Sequence, residues 1–323
     1  MTARRALRIG TRRSALALAQ AESVRRAIEP VWAHGPVELV EIVTRGDRLQ
    51  QAPAPAWDGR GLFVKELEAA LAAGAVDLCV HSAKDVPPDL PAGLPLLAIL
   101  PRADARDALC GCTLADLPPG AVVGTGSPRR ALQLRHRRPD LEVRPVRGNV
   151  DTRLARLARG EFAALVLAAA GLQRLGRAAA LGETLSPEVM VPAAGQGALA
   201  VQARVEDAEV TAMLGRLEDA AAAFAVHAER AVLERLGGGC TAPVGVYAEP
   251  VGADRWHLRG IVCGRGGGVV RAEEDLNAEL GGFRDRAALL RAARRFGGAL
   301  ATRLLAGGAG ALLAESQGAE GAR

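Results

Sequence analysis

The strongest constraint on the fold is an alternation. Short β-branched runs are followed by amphipathic stretches, and polar clusters stand at the junctions. Leu7–Gly10 predicts a strand and Ser14–Ile28 a helix, with Ser14 placed to cap it. Val37–Val43 predicts a strand, Leu62–Ala73 a helix and Asp77–His81 a strand. A second series follows, with strands at Ala121–Gly124, Leu141–Arg147 and Phe162–Ala168 and helices at Pro128–Arg137 and Val150–Arg159. Alternation of this kind predicts βαβ units in largely parallel sheets. Pro- and Gly-rich stretches at Pro87–Pro95 and Leu117–Gly120 separate the series, so two α/β domains fit better than one long sheet.

The character changes after Gly195. A helix over Glu218–Leu236 is stopped by Gly237, Gly238 and Gly239. Strand-like pieces follow at Val244–Ala248, His257–Cys263 and Val269–Glu273, then a helix from Phe283 to Leu305, which together predict a smaller α+β domain. The expected division is 1–101 with 195–216, then 102–194, then 217–323. The Pro- and Ala-rich segment 52–61 is expected to be a loop, and the tail from Gly307 to fray.

Composition narrows the function. Of 41 basic residues only Lys65 and Lys84 are lysines. Ten arginines lie between Arg129 and Arg159 against Asp140, Glu142 and Asp151, a local excess of seven positive charges. Aromatic residues make up 3% of the chain, too few for the stacking platforms of a single-strand nucleic-acid binder. Arginine pairs bidentately with carboxylate or phosphate, so an anionic small molecule is the first expectation and nucleic acid the second. No apolar run reaches the ~18 residues of a membrane span. An odd number of cysteines, five, argues against a disulfide framework. Met1–Gly10 runs into a strand without an export signal, so a cytoplasmic protein is expected.

Four polar clusters follow strands, where open α/β sheets bind ligands. They are Ile9–Ser14, His81–Pro87, Gly124–Arg130 and Val146–Arg153. A helix N-terminus beside an arginine attracts anions, and several together suit a molecule with several anionic groups. Any one of them alone reads better as an ordinary strand–loop–helix junction. His81 reads as a hydrogen-bonding residue rather than a metal ligand, since no second His or Cys stands at ligand spacing. Cys110 and Cys112 lack partners for a metal site, and Lys84 with Asp85 could form a simple ion pair. Cys79 and Cys263, inside apolar strands, read as core. Cys240 follows three glycines on a loop, where a bulky ligand could approach the thiol, and is the best candidate nucleophile.

The ordered set of motifs IGTRRSALALAQ (9–20), RGLFVKELE (60–68), HSAKDVP (81–87), VGTGSPRRALQL (123–134), VRGNVDTRL (146–154), LAAAGLQRLG (167–176), VPAAGQGALAVQAR (191–204) and ERAVLERLGGGCTAPVG (229–245) resembles the porphobilinogen deaminase family over nearly the whole chain. The resemblance implies two periplasmic-binding-protein-like α/β domains around a cleft, plus a small α+β C-terminal domain. It implies a dipyrromethane cofactor joined by a thioether to Cys240. Four porphobilinogen molecules would be added head to tail with loss of ammonia, and the tetrapyrrole released by hydrolysis as hydroxymethylbilane. Each pyrrole carries an acetate and a propionate, which accounts for the arginines.

Carried over by motif, Asp85 corresponds to the catalytic carboxylate, stabilising an azafulvene-type cation through pyrrole N–H groups. Ser82, Lys84, Thr125, Ser127, Arg129, Arg130 and Arg174 correspond to contacts with cofactor or chain carboxylates. Arg12, Ser14, Gln20, Arg60, Phe63, Arg147, Arg153 and Gln196 correspond to substrate or growing-chain positions. The implied partners are porphobilinogen and the growing polypyrrole, without nucleic acid, membrane or metal, and the chain is expected to be a monomer. One departure is that many members carry lysines before the Gly-Leu-Phe motif, where this chain has Arg60 and Ala56. The rival reading is a non-catalytic anion-binding protein on the same scaffold, which would need neither Cys240 nor Asp85.

Overall fold

A computed structural model describes residues 5–49, 64–237, 242–282 and 285–318. By contact density the chain divides into two compact units, 1–102 with 198–223 and 103–197 with 224–323.

The first unit holds β1 (Leu7–Arg12), β2 (Val37–Ile42), β3 (Leu78–Ser82), β4 (Leu96–Ile99) and the late strand β10 (Leu199–Ala203), in the order β2-β1-β3-β10-β4. β1 runs parallel to β2 and β3, whereas β10 is antiparallel to both β3 and β4. One face packs on Ala21, Val24 and Ile28 of the helix Ala15–Ile28 and on Val210, Met213 and Leu214 of the helix Ala208–Leu217. The other face packs on Leu67 and Leu71 of the helix Lys65–Ala72. Asp77, buried at the start of β3, binds the Arg8 backbone N–H at 2.8 Å and the Arg5 and Arg8 guanidiniums at 3.0 Å. Those bonds tie the first strand to the third.

The second unit repeats the plan with β5 (Asp107–Cys110), β6 (Val122–Gly124), β7 (Glu142–Arg144), β8 (Ala164–Ala168) and β9 (Leu181–Thr184), ordered β7-β6-β8-β5-β9. Here β6 is parallel to β7 and β8, and β5 is antiparallel to β8 and β9. In each sheet the antiparallel member is the first strand after the chain crosses from the other unit. The sheets are therefore mixed, a correction to the largely parallel arrangement expected. β5 and β10 are short apolar runs without alternation, which periodicity cannot identify.

A three-stranded antiparallel meander follows, of β11 (Val244–Pro250), β12 (Arg255–Cys263) and β13 (Val269–Asn277). The helix Arg286–Ala306 covers it and crosses the helix Ala220–Leu236 at Gly297, where a Cβ would stand 2.1 Å from the Ala228 carbonyl oxygen. Only glycine fits that crossing. Phe224 lies between Trp256 and Phe296, with ring centroids at 4.9 and 6.0 Å. The tail expected to fray instead forms a helix, Ala309–Gly318, with Ala309 and Leu313 buried. Cys79 and Cys263 are buried in strands, as their apolar neighbours predict.

Candidate active site

In the first unit the candidate residues gather at the C-terminal ends of β1 and β3. Ser14 accepts a bond from the Ala17 N–H at 3.2 Å and caps the helix Ala15–Ile28, on which Gln20 is buried. Arg12, the last residue of β1, places Nη2 2.5 Å from the Asp47 carboxylate. Asp47 also accepts from the Thr44 hydroxyl at 2.7 Å. Burial would raise the Asp47 carboxyl, but the bonds from Arg12 and Thr44 outweigh it and hold the group below its ordinary value. Asp47 was not singled out by the sequence, and it fixes the arginine that was. At the end of β3, Ser82 leads into a single 3-10 turn, Ala83–Asp85, that carries half-buried Lys84 and exposed Asp85. The Ala83 N–H donates to the Ala198 carbonyl at 3.0 Å and anchors that turn.

The second unit brings two helix N-termini together. Ser127 caps the helix Pro128–Arg137, with Pro128 at its first position, and Asn149 caps the helix Val150–Ala158. Thr125 is buried and accepts from the Ser127 N–H at 3.2 Å. Between them Gly126 lies so close that a Cβ would meet the Val146 carbonyl oxygen at 2.9 Å and Arg153 Nη2 at 3.9 Å. Arg153 thus sits beside the Thr125–Ser127 backbone, its Nε donating to the Gly148 carbonyl at 2.8 Å. Arg147 is exposed on the loop before the second helix.

The arginines fall into two kinds. Arg129 and Arg130 are buried around Asp107, whose carboxylate lies 2.7 Å from Arg129 Nη1 and 2.8 Å from Arg130 Nε. Arg129 also donates to the Val191 carbonyl, and Arg130 to the Val166 carbonyl and the Gln196 side-chain oxygen. Gln196 returns a 2.9 Å bond to Asp107. Burial would raise the Asp107 carboxyl, but the two guanidiniums reverse that and hold it below the carboxylate range. Asp107 is a residue that sequence reasoning missed. Its one signal is an acid at the head of the apolar run Ala108–Cys110.

Arg153 and Arg174 differ. Both are half-buried, and among the described residues each hydrogen-bonds only a backbone carbonyl, Arg174 reaching Gly197 at 2.6 Å. Neither has a carboxylate partner among the described residues. Burial, helped by the charge of Arg130, draws Arg153 down to about 10, and burial lowers Arg174. A partly desolvated cation without an acid partner can take up an anion from outside the protein. These two arginines therefore suit a group that bears carboxylates. Arg60, Phe63 and Cys240 lie outside the described residues.

Residues 7–212 match the family model of the porphobilinogen deaminase dipyrromethane cofactor-binding domain, and residues 223–282 match the porphobilinogen deaminase C-terminal domain. The chain belongs to the porphobilinogen deaminase family. It is 48% identical to a porphobilinogen deaminase of Bordetella parapertussis over 319 residues, covering 98% of each chain. It is 51% identical to one from Roseiflexus sp. over 266 residues, 81% of this chain and 88% of the relative. Among solved structures the periplasmic VFT2 domain of BvgS from Bordetella pertussis has 15% identity and a TM-score of 0.39, covering 66% of this chain and 86% of that one. Family membership makes the chain a transferase of porphyrin biosynthesis with a dipyrromethane cofactor, and supports the catalytic reading rather than the non-catalytic one. The activity is that of hydroxymethylbilane synthase.

Proposed function

We propose that Asp85 is the catalytic carboxylate for porphobilinogen condensation, that Cys240 carries the dipyrromethane, and that Arg153 and Arg174 receive pyrrole carboxylates. The observation that supports this reading best is the pair of half-buried arginines without acid partners among the described residues. When bound, the dipyrromethane supplies the nucleophilic pyrrole carbon from which the chain grows.

The residues of this chain do the rest. Asp85 stabilises the positive charge that develops on porphobilinogen as ammonia departs, and accepts pyrrole N–H bonds. Arg12, steadied by Asp47, and Arg147 hold the incoming carboxylates, with Ser14 and Gln20 beside the first. By the family resemblance Arg60 and Phe63 also contact substrate, and Ser82 and Lys84 meet the carboxylates nearest the turn. Thr125 and Ser127 present the helix N-terminus to a carboxylate. Arg129, Arg130 and Gln196, clustered on Asp107, hold that helix in place and extend the positive field towards it. The protein acts as a cytoplasmic monomer on small anions, without a nucleic-acid or membrane partner. The half-buried Arg153 and Arg174 support the part of this that concerns small anions.

The test is the mass of the intact purified protein. It should exceed the apoprotein by two linked, deaminated porphobilinogen units, and peptide mapping should place them on Cys240. An adduct on Cys79, Cys110, Cys112 or Cys263, or a free Cys240 in active enzyme, overturns the assignment. Light scattering that shows a stable dimer would overturn the monomer.

A further inference from the structure

Two polar side chains lie buried behind the turn that carries Asp85, and half-buried Glu68 reaches them. His81 occupies the penultimate position of β3 and is 5% exposed, and Gln202 of β10 is fully buried. In the antiparallel register Gln202 stands opposite Cys79 and Ala200 opposite His81. Residues 79, 81, 200 and 202 therefore share one face of the sheet. That face packs on the helix Lys65–Ala72, from which Glu68 reaches in.

The bonds form one directed chain. His81 Nε2 lies 3.1 Å from Gln202 Oε1. Gln202 Nε2 donates to Glu68 Oε1 at 3.0 Å and to the Leu94 carbonyl at 2.8 Å. Gln202 has no donor left for His81, so the imidazole donates through Nε2. Burial, partly offset by the Gln202 bond and reinforced by Arg12, draws the His81 imidazole down to about 4, so it stays neutral near pH 7.

The arrangement goes beyond filling a core. His81 immediately precedes the excursion 82–93 and Leu94 closes it, and this excursion carries Ser82, Lys84 and Asp85. One amide side chain grips both ends. Within the excursion the Ala83 N–H is tied to Ala198, and the Gly93 carbonyl accepts from the Val205 N–H at 3.0 Å. A buried hydrogen-bond network fixes one geometry at the cost of burying polar groups, which an apolar core would avoid. We infer that His81, Gln202 and Glu68 form a positioning brace that sets the geometry of the Ala83–Asp85 turn for the chemical step. The inference rests on the reading of Asp85 as the catalytic carboxylate.

A swap tests it. Gln202→Glu sets two carboxylates against each other at the Glu68 contact and removes the donor to Leu94. Adding Glu68→Gln restores a donor–acceptor pair there, and an acceptor oxygen still faces His81 Nε2. In cofactor-loaded enzyme, Gln202→Glu should lower kcat at least about tenfold, as misplacement of a catalytic group does, with KM for porphobilinogen within about twofold. It should also speed amide hydrogen exchange across 82–94. The double variant Glu68→Gln/Gln202→Glu should recover the part of kcat and of the exchange protection lost to the Glu68 repulsion, while the Leu94 carbonyl still lacks its donor. His81→Gln keeps a donor near the Nε2 position and should stay within about threefold of wild type, whereas His81→Leu should not.

Wild-type kcat and exchange in Gln202→Glu would overturn the brace. So would an equal loss in the single and double variants, or a change confined to KM. Where Gln202→Glu does not fold, the comparison of His81→Gln with His81→Leu carries the same decision. Asp85→Asn is measured alongside. If that variant keeps its chemical step, the reading of Asp85 fails, while hydrogen exchange across 82–94 still decides whether the brace holds the turn.

Discussion

Asp107 and Arg130 lie side by side in the interior of the second unit, the carboxylate oxygen 2.8 Å from the arginine Nε, with Arg129 2.7 Å from the other oxygen. One acid thus neutralises part of two adjacent cations on the first turn of the helix Pro128–Arg137. Asp107→Asn would leave two buried guanidiniums without a counter-charge. Removing one partner of a buried ion pair costs about 3–5 kcal/mol, or about 4–7 °C in melting temperature for a chain of this size. The native carboxyl is held below its unfolded value of about 3.9. Its contribution is therefore present above about pH 4 and is lost as the pH falls through the native value. Urea unfolding from about pH 2 to 6 should show this acid-dependent part in wild type and its absence in Asp107→Asn.

The arginines should separate into two classes on substitution. Arg153→Leu and Arg174→Leu remove cations that have no acid partner among the described residues, so they should fold with little loss of stability. Cofactor loading or porphobilinogen affinity should fall about ten- to a hundredfold, corresponding to about 1.5–3 kcal/mol for a bond to a charged group. Arg130→Leu should show the reverse emphasis, with a clear drop in melting temperature because Asp107 and Gln196 lose their partner. Calorimetry with intact mass on each variant checks both. Equal stability losses in all of them would show that Arg153 and Arg174 are structural.

Stability should also rise with pH between about 4 and 6.5. Burial pulls His81 down to about 4, and burial with nearby Arg286, Arg230 and Arg294 pulls His227 down to about 3. The unfolded imidazoles titrate near about 6.5. In the window between, the unfolded state binds more protons, so unfolding becomes easier as the pH falls towards the native values. Each histidine contributes a slope of at most about 1.4 kcal/mol per pH unit. His81→Gln should flatten the slope, leaving the part due to His227. An unchanged slope would mean that His81 is already accessible to protons in the native state.

What was legible in the sequence follows from range. Ser14, Ser127 and Pro128 act within one helical turn, so their capping roles and the helix Pro128–Arg137 could be read directly. The chemistry-bearing motifs were legible through family resemblance as much as through physics. β5 and β10 were missed because a buried crossing strand has neither period nor turn signal of its own. Asp107 serves Arg129 from 22 positions away and Gln202 serves Glu68 from 134. An acid or amide inside an apolar run announces only that a partner must exist; the sheet order decides which one it is.

The last prediction separates binding from chemistry at Asp85. This carboxylate stands on a short turn at the end of β3, exposed to whatever occupies the site. Its charge matters most when positive charge develops on the pyrrole, so its effect belongs to the transition state. Asp85→Asn keeps the size and one acceptor oxygen but removes the charge. With cofactor installed, porphobilinogen should still bind, while deamination in a single turnover slows at least about a hundredfold, as for loss of an electrostatic stabiliser. Asp85→Glu keeps the charge on a longer arm and should retain part of the rate. If Asp85 served only to pair with Lys84, then Lys84→Met would reproduce the whole catalytic loss. If instead Lys84 binds carboxylates, Lys84→Met should act mainly on cofactor loading or KM. Rapid-quench measurement of the first deamination in the three variants distinguishes these outcomes, and an unchanged chemical step in Asp85→Asn would remove Asp85 from the mechanism.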